Sequence, residues 1–124
     1  MIPTAIEELI QDYLDALYRC DTELLSRVMH PRAVYATADE EPALIRSMDE
    51  YLPVVAARQS PRSLGEQRNG EIESIDLAGE NTALVRLRCS LNGRNYTDFL
   101  SLIKEDNRWK VIAKVFQFEE AERT

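Results

Sequence analysis

Between Thr4 and Cys20 the apolar residues Ile6, Leu9, Ile10, Tyr13, Leu14 and Leu17 recur at intervals of three and four, with Glu8, Gln11, Asp12 and Asp15 between them. That period predicts an amphipathic helix. Thr4 and Glu7 have the spacing of a capping box that would start it. Asp21 is suited to cap a second, shorter helix whose apolar face carries Leu24, Leu25, Val28 and Met29. Pro31 disfavours helical backbone at His30 and ends that helix. "AVYAT" follows as a short strand of β-branched and aromatic residues. Ser47 and Glu50 repeat the capping-box spacing ahead of Met48, Tyr51, Leu52 and Val55, which predicts a third helix with Pro53 near its first turn.

After the polar, turn-rich "SPRSLGEQRNG" the period changes to two. "EIESIDL" and "TALVRLRCSL" flank the turn "AGEN", "NYTDFLSLIK" follows the hairpin signal Asn92-Gly93, and "RWKVIAKVFQF" follows "EDN". In the second of these strands Ala83, Val85, Leu87, Cys89 and Leu91 share one face. The last two strands are apolar on both faces, Phe99 and Ile103 against Leu100 and Leu102, and Val111 and Val115 against Ile112 and Phe116. Helices followed by strands predict an α+β domain with the helices on one face of a curved antiparallel sheet of four to six strands. A second apolar face around Leu100, Leu102, Ile112 and Phe116, with no helix left to cover it, predicts a homodimer joined through the sheet.

Composition narrows the function classes. A chain of 124 residues fits one domain over residues 1–124. Its net charge of −7 argues against a nucleic-acid partner, which would require clustered Lys and Arg. One histidine and two distant cysteines, Cys20 and Cys89, are too few for a structural metal site, so no metal or cofactor is expected. The N-terminal stretch lacks a basic leader with an apolar core, and no apolar run approaches a membrane span, so the expected location is cytoplasmic with no membrane partner. His30 reads as the joint where a helix gives way to a strand, its ring serving the last helical carbonyls, more than as a catalytic imidazole.

The segments "YLDALYRCDTELLSRVMHPRAV" and "YTDFLSLIKEDNRWKVIAKVF" resemble the nuclear transport factor 2-like superfamily, and within it the lumazine-binding-like branch, from about Ile6 to Phe118. The resemblance implies a cone-shaped, cystatin-like fold in which three N-terminal helices pack on a curved sheet and enclose a pocket. Such pockets are mostly apolar with a few orienting polar groups. The candidates are Tyr13 on the first helix, Tyr35 and Thr37 on the first strand, Tyr51 on the third helix and Ser101 among the later strands.

Alignment with the superfamily's ketosteroid isomerases puts their tyrosine donor on Tyr13, their aspartate base on Thr37 and their second carboxylic acid on or near Ser101. Strand alternation from Ser101 would turn Asp98 to the opposite face. Threonine is no base near neutral pH, so no catalytic set is assigned. The expected function is a small-molecule-binding domain for an apolar or aromatic ligand. The alternatives are a dimeric structural or regulatory module whose pocket is filled by its own side chains, or a dehydratase- or cyclase-type enzyme of unknown substrate.

Overall fold

In the computed structural model, which describes residues 2–121, the elements run α1 (Thr4–Arg19), α2 (Thr22–Val28), β1 (Met29–Thr37), β2 (Leu44–Ser47), α3 (Met48–Ala57), β3 (Glu71–Ala78), β4 (Thr82–Leu91), β5 (Arg94–Glu105) and β6 (Arg108–Glu120). The strands form one sheet in the order β2-β1-β6-β5-β4-β3. All neighbours are antiparallel except β1 and β6, which run parallel. The sheet is therefore mixed, a correction to the wholly antiparallel expectation. A parallel pair cannot be closed by a tight turn, so no local signal announces it. β2 has only four residues, too few to display a period.

Side-chain caps hold two of the three helix starts. Asp21 accepts from the Leu24 N–H at 3.0 Å, and Ser47 and Glu50 form a reciprocal capping box. α1 differs from expectation. Pro3 is its N-cap, Thr4 is already helical, and no side chain caps it. Met29 leaves α2 and opens β1. His30 Nδ1 accepts from the Arg32 N–H at 3.0 Å, while Nε2 lies 3.2 Å from Glu105 Oε1. The first contact leaves the proton of a neutral ring on Nε2, which donates to the carboxylate. The histidine is thus a joint, but one that ties β1 to the end of β5, not to helical carbonyls.

The buried stripe of α1 (Ile6, Ile10, Tyr13, Leu14, Leu17) and the inward row of β4 (Ala83, Val85, Leu87, Cys89, Leu91) belong to one core, which α3 joins through Met48, Tyr51 and Val55. Two-residue turns with positive φ at both positions, Asn92-Gly93 and Asp106-Asn107, close the hairpins on either side of β5. Among the described residues no helix is long and apolar enough to cross a membrane.

The sheet's two faces are the reverse of the expected assignment on β5 and part of β6. Leu100, Leu102 and Phe116 lie in the core, while Phe99 and Val115 are exposed on the outer face with Val34, Ile45 and Leu84. Both faces are apolar, so alternation alone does not decide which one the helices cover. A register shift supplies the rest of the difference. Ser101 pairs with Ala113 but Leu102 pairs with Val111, leaving Ile112 as an extra residue in β6. Trp109 and Val111 point inward before this bulge, and Lys114 and Phe116 after it.

Gly70 leads into β3 and lies against Leu14 of α1. An added Cβ would lie 2.4 Å from Leu14 Cδ1, and the residue's φ is +157°. Replacing Gly70 with Ala is expected to destabilise the protein by about 1–3 kcal/mol through overpacking against the buried Leu14. Urea denaturation should show a lowered midpoint with an unchanged slope.

Candidate functional site

Two charged side chains lie inside the core. Asp98 is 0% exposed and Lys114 5% exposed. Their placement follows from the strands. On β5 the inward positions are Asp98, Leu100 and Leu102, and on β6 the bulge swings Lys114 to the same side. Asp98 pairs with Phe116 and Leu100 with Lys114, so the two charges are diagonal neighbours on adjacent strands. Lys114 Nζ stands 3.9 Å from Asp98 Oδ2, and the Tyr13 hydroxyl, brought in by α1, donates to that same oxygen at 2.9 Å. Asp98 Oδ1 is buried and has no hydrogen-bond partner among the described residues.

Aromatic rings surround the ammonium. Its distances to ring centroids are 5.0 Å for Phe116, 5.3 Å for Tyr13 and Tyr35, and 6.0 Å for Tyr51 and Tyr96. Each is within cation–π range. Tyr35 stacks on Tyr51 with centroids 4.2 Å apart. A void of about 10 Å³ adjoins the cluster, lined by Tyr35, Tyr51, Tyr96, Asp98 and Lys114, with Arg58 from the end of α3 also bordering it. It has room for about one water molecule.

The charges set what this cluster can do. Burial opposes the Lys114 ammonium, yet the Asp98 carboxylate, followed by the Tyr51 and Tyr35 hydroxyls, holds its pKa above the ordinary lysine value. Lys114 therefore stays protonated and is no amine nucleophile. Burial, then the charge of Asp98, raises the Tyr13 phenol well above its usual value. Burial and Asp98 likewise push the Cys89 thiol up to about 12 against the pull of Lys114. A thiol so held is inert at neutral pH. The arrangement keeps its protons in place and offers one free acceptor and one cation. Among the described residues no group of three His, Cys, Asp or Glu side chains is placed to hold a metal ion.

The candidates read from sequence divide in position. Tyr13, Tyr35 and Tyr51 converge on Lys114. Thr37 is buried at the end of β1, where its hydroxyl accepts from the Asp39 N–H at 3.1 Å, and it is not among the residues that line the void. Ser101 is half-buried on the sheet's outer side, opposite Leu84 and Ala113. Taking Ser101 as inward also sent Asp98 outward, and the structure reverses both. Asp98, Lys114, Tyr96 and Arg58 were missed by sequence reasoning. One signal was available: Asp98 has Tyr96 and Leu100 two residues to either side, large side chains of the kind that mark an inward face.

Separating the ion pair tests this description. Asp98→Asn leaves a buried ammonium without its counter-ion and should cost about 3–5 kcal/mol of stability. The paired replacement Asp98→Leu with Lys114→Met removes both charges together and should cost less than Asp98→Asn alone. Urea denaturation of the single and double variants measures both.

Residues 3–117 match the model of the family described as "Putative lumazine-binding". No curated protein matches the sequence. Among solved structures, an NTF2-like protein of unknown function from Shewanella baltica OS155 superposes with a TM-score of 0.83 at 20% identity, over 95% of this chain and 94% of that one. Another from Methylobacillus flagellatus KT gives 0.80 at 19% identity, over 94% and 90%. A ketosteroid isomerase-like protein from Erwinia carotovora atroseptica SCRI1043 gives 0.70 at 17% identity, over 93% and 94%. At these identities the likeness establishes the fold alone. With most of its length matched by the family model, the chain belongs to this lumazine-binding-like family, and it shares its fold with these NTF2-like structures.

Proposed function

We propose that the interior around Asp98 and Lys114 is a binding site for a small planar molecule, enclosed between the helices and the sheet of a cone-shaped domain. The observation that carries this reading is the unpartnered Oδ1 of a fully buried carboxylate beside a void. A buried acceptor without a donor costs free energy, and a ligand N–H or O–H relieves that cost. Lys114 would donate to a carbonyl on the same ligand edge, and Tyr35, Tyr51 and Tyr96 would stack on its faces. The name of the family points to lumazine, whose pyrimidinedione ring places an N–H between two carbonyls and so fits that acceptor–cation pair. The void is smaller than such a ring, so the ligand enters only as the tyrosines swing aside.

The smallness of the void favours a second reading, a module whose interior is filled by its own side chains. Thermal shift separates the two. Lumazine and a set of neutral planar heterocycles should raise the melting temperature, with about 2.7 kcal/mol of stabilisation at a hundredfold excess over the dissociation constant. Tyr51→Ala, which opens the stack, should leave that response in place or enlarge it. A flat response from both proteins favours the self-filled module.

We also propose that the outer sheet face joins two copies of the chain. Ile45, Ala36, Val115 and Phe99 stand directly opposite one another in turn across four strands, and Arg86 ends the row on β4. Its guanidinium lies 5.3 Å from the Phe99 ring and its Nε 2.9 Å from Glu73 Oε1. An apolar row edged by charge suits a two-fold contact with itself. Light scattering at tens of micromolar should give twice the 14.2 kDa chain mass. The pair Phe99→Asp and Val115→Asp should reduce it to the single-chain mass without unfolding the protein.

A further inference from the structure

The void beside the ion pair is bordered by two cations and one carboxylate. Lys114 shares the single carboxylate Asp98. Arg58, the C-cap of α3, borders the same void and is only partly exposed. Among the described residues its guanidinium forms no ion pair and no side-chain hydrogen bond; Arg32, Arg46, Arg62 and Arg108 are likewise without a carboxylate partner, but Arg58 is the one of these that borders the void. Its charge reaches the interior. Burial raises the Tyr35 phenol, and Lys114 and then Arg58 pull against that rise. An unpaired cation at the edge of an interior site, in a chain of net charge −7, stands out against the sign of the whole molecule.

We infer that the site takes a small organic anion, a planar carboxylate whose charged head rests on Arg58 while its opposite end presents an N–H or O–H donor to Asp98 Oδ1. This rests on the binding reading above and adds the ligand's charge and orientation. The alternatives meet electrostatic opposition. A cationic ligand would pass Arg58 to reach Lys114, two like charges in succession. A carboxylate inserted head first would meet Asp98 in a space with little water to screen the repulsion. A neutral ligand leaves the Arg58 guanidinium without a partner at the moment the site closes over it. With the head outward, the guanidinium gains a charge-assisted, two-point contact. The aromatic body lies against Tyr35, Tyr51 and Tyr96, and the unpartnered Asp98 Oδ1 is filled.

The test compares matched probes. Affinities of 4-hydroxyphenylacetate, indole-3-acetate and orotate are measured by calorimetry against their primary amides, at low and high salt. Each pair differs in charge and keeps the donor-bearing ring. The wild type should prefer at least one carboxylate by about tenfold or more, on the scale of a charge-assisted hydrogen bond. That preference should shrink at high salt, since Arg58 is partly exposed. Arg58→Gln should bring acid and amide within about twofold of each other, and Arg58→Lys should keep most of the preference, because a point charge survives where the planar fork is lost. Arg58 caps a helix end through its backbone, so both variants are expected to fold. Equal affinities in every pair, tighter amides, or a preference that survives Arg58→Gln would overturn the inference and leave the binding site standing. If neither these probes nor the neutral heterocycles bind, the inference falls together with the reading beneath it.

Discussion

Lys114 carries an ammonium into an interior of tyrosine, phenylalanine and aliphatic side chains, where a lone charge would be several kcal/mol out of balance. Three kinds of compensation converge on it from separate elements. Asp98 on the neighbouring strand supplies the counter-charge, and Tyr13 on the first helix fixes the carboxylate by donating to the shared oxygen. Tyr35, Tyr51, Tyr96 and Phe116 turn ring faces toward the cation. The helices and the sheet are therefore joined by a directional contact as well as by apolar burial. Shifting α1 by one residue would remove the tyrosine hydroxyl from the carboxylate. A one-residue slip of β6 would throw the ammonium out of the core.

That last point explains the bulge at Ile112. A regular β6 that kept Trp109 and Val111 inward would present Ala113 and Val115 to the helices, and Lys114 to the outer face. The extra residue reverses the parity halfway along the strand. Trp109 and Val111 serve the core at one end of the sheet, while Lys114 and Phe116 serve the charged cluster at the other. The same reversal turns Val115 outward beside Phe99, so it also creates part of the exposed apolar row. The interior cluster and the outer surface are thus two consequences of one irregularity.

Most of the architecture was legible because it rests on local rules. The α1 stripe, the Asp21 and Ser47 caps, the Asn92-Gly93 turn and the alternation of β4 each depend on neighbours within a few residues. What escaped depends on residues far apart in the chain. The parallel pairing of β1 with β6 joins the first strand to the last. The facing of β5 depended on a choice between two apolar sides, and the inward side is the one that carries the aspartate. The superfamily alignment placed a pocket position on or near Ser101, and alternation counted from there sent Asp98 outward, although an acid can be buried where a buried base stands beside it. Tyr13 was legible as an inward tyrosine, but its partner was not.

Arg58 illustrates the remaining limit of local reading. In sequence it is one arginine among several in a polar segment, and nothing near it marks it as different. The paired arginines are held by acids on adjacent turns or strands, or on loops packed against them, such as Glu73 for Arg86 and Asp15 for Arg68. Arg58 falls at the end of α3 and borders the void together with Leu17, Tyr35, Cys89 and Leu91 as well as Asp98 and Lys114. No carboxylate among the described residues pairs with this partly exposed guanidinium, so its charge stays available to whatever enters beside it. Charge composition describes the surface of this protein as acidic. The space beside Lys114 is bordered by two cations, Lys114 and Arg58, and one carboxylate, Asp98, and a ligand responds to these charges more than to the sum over the chain.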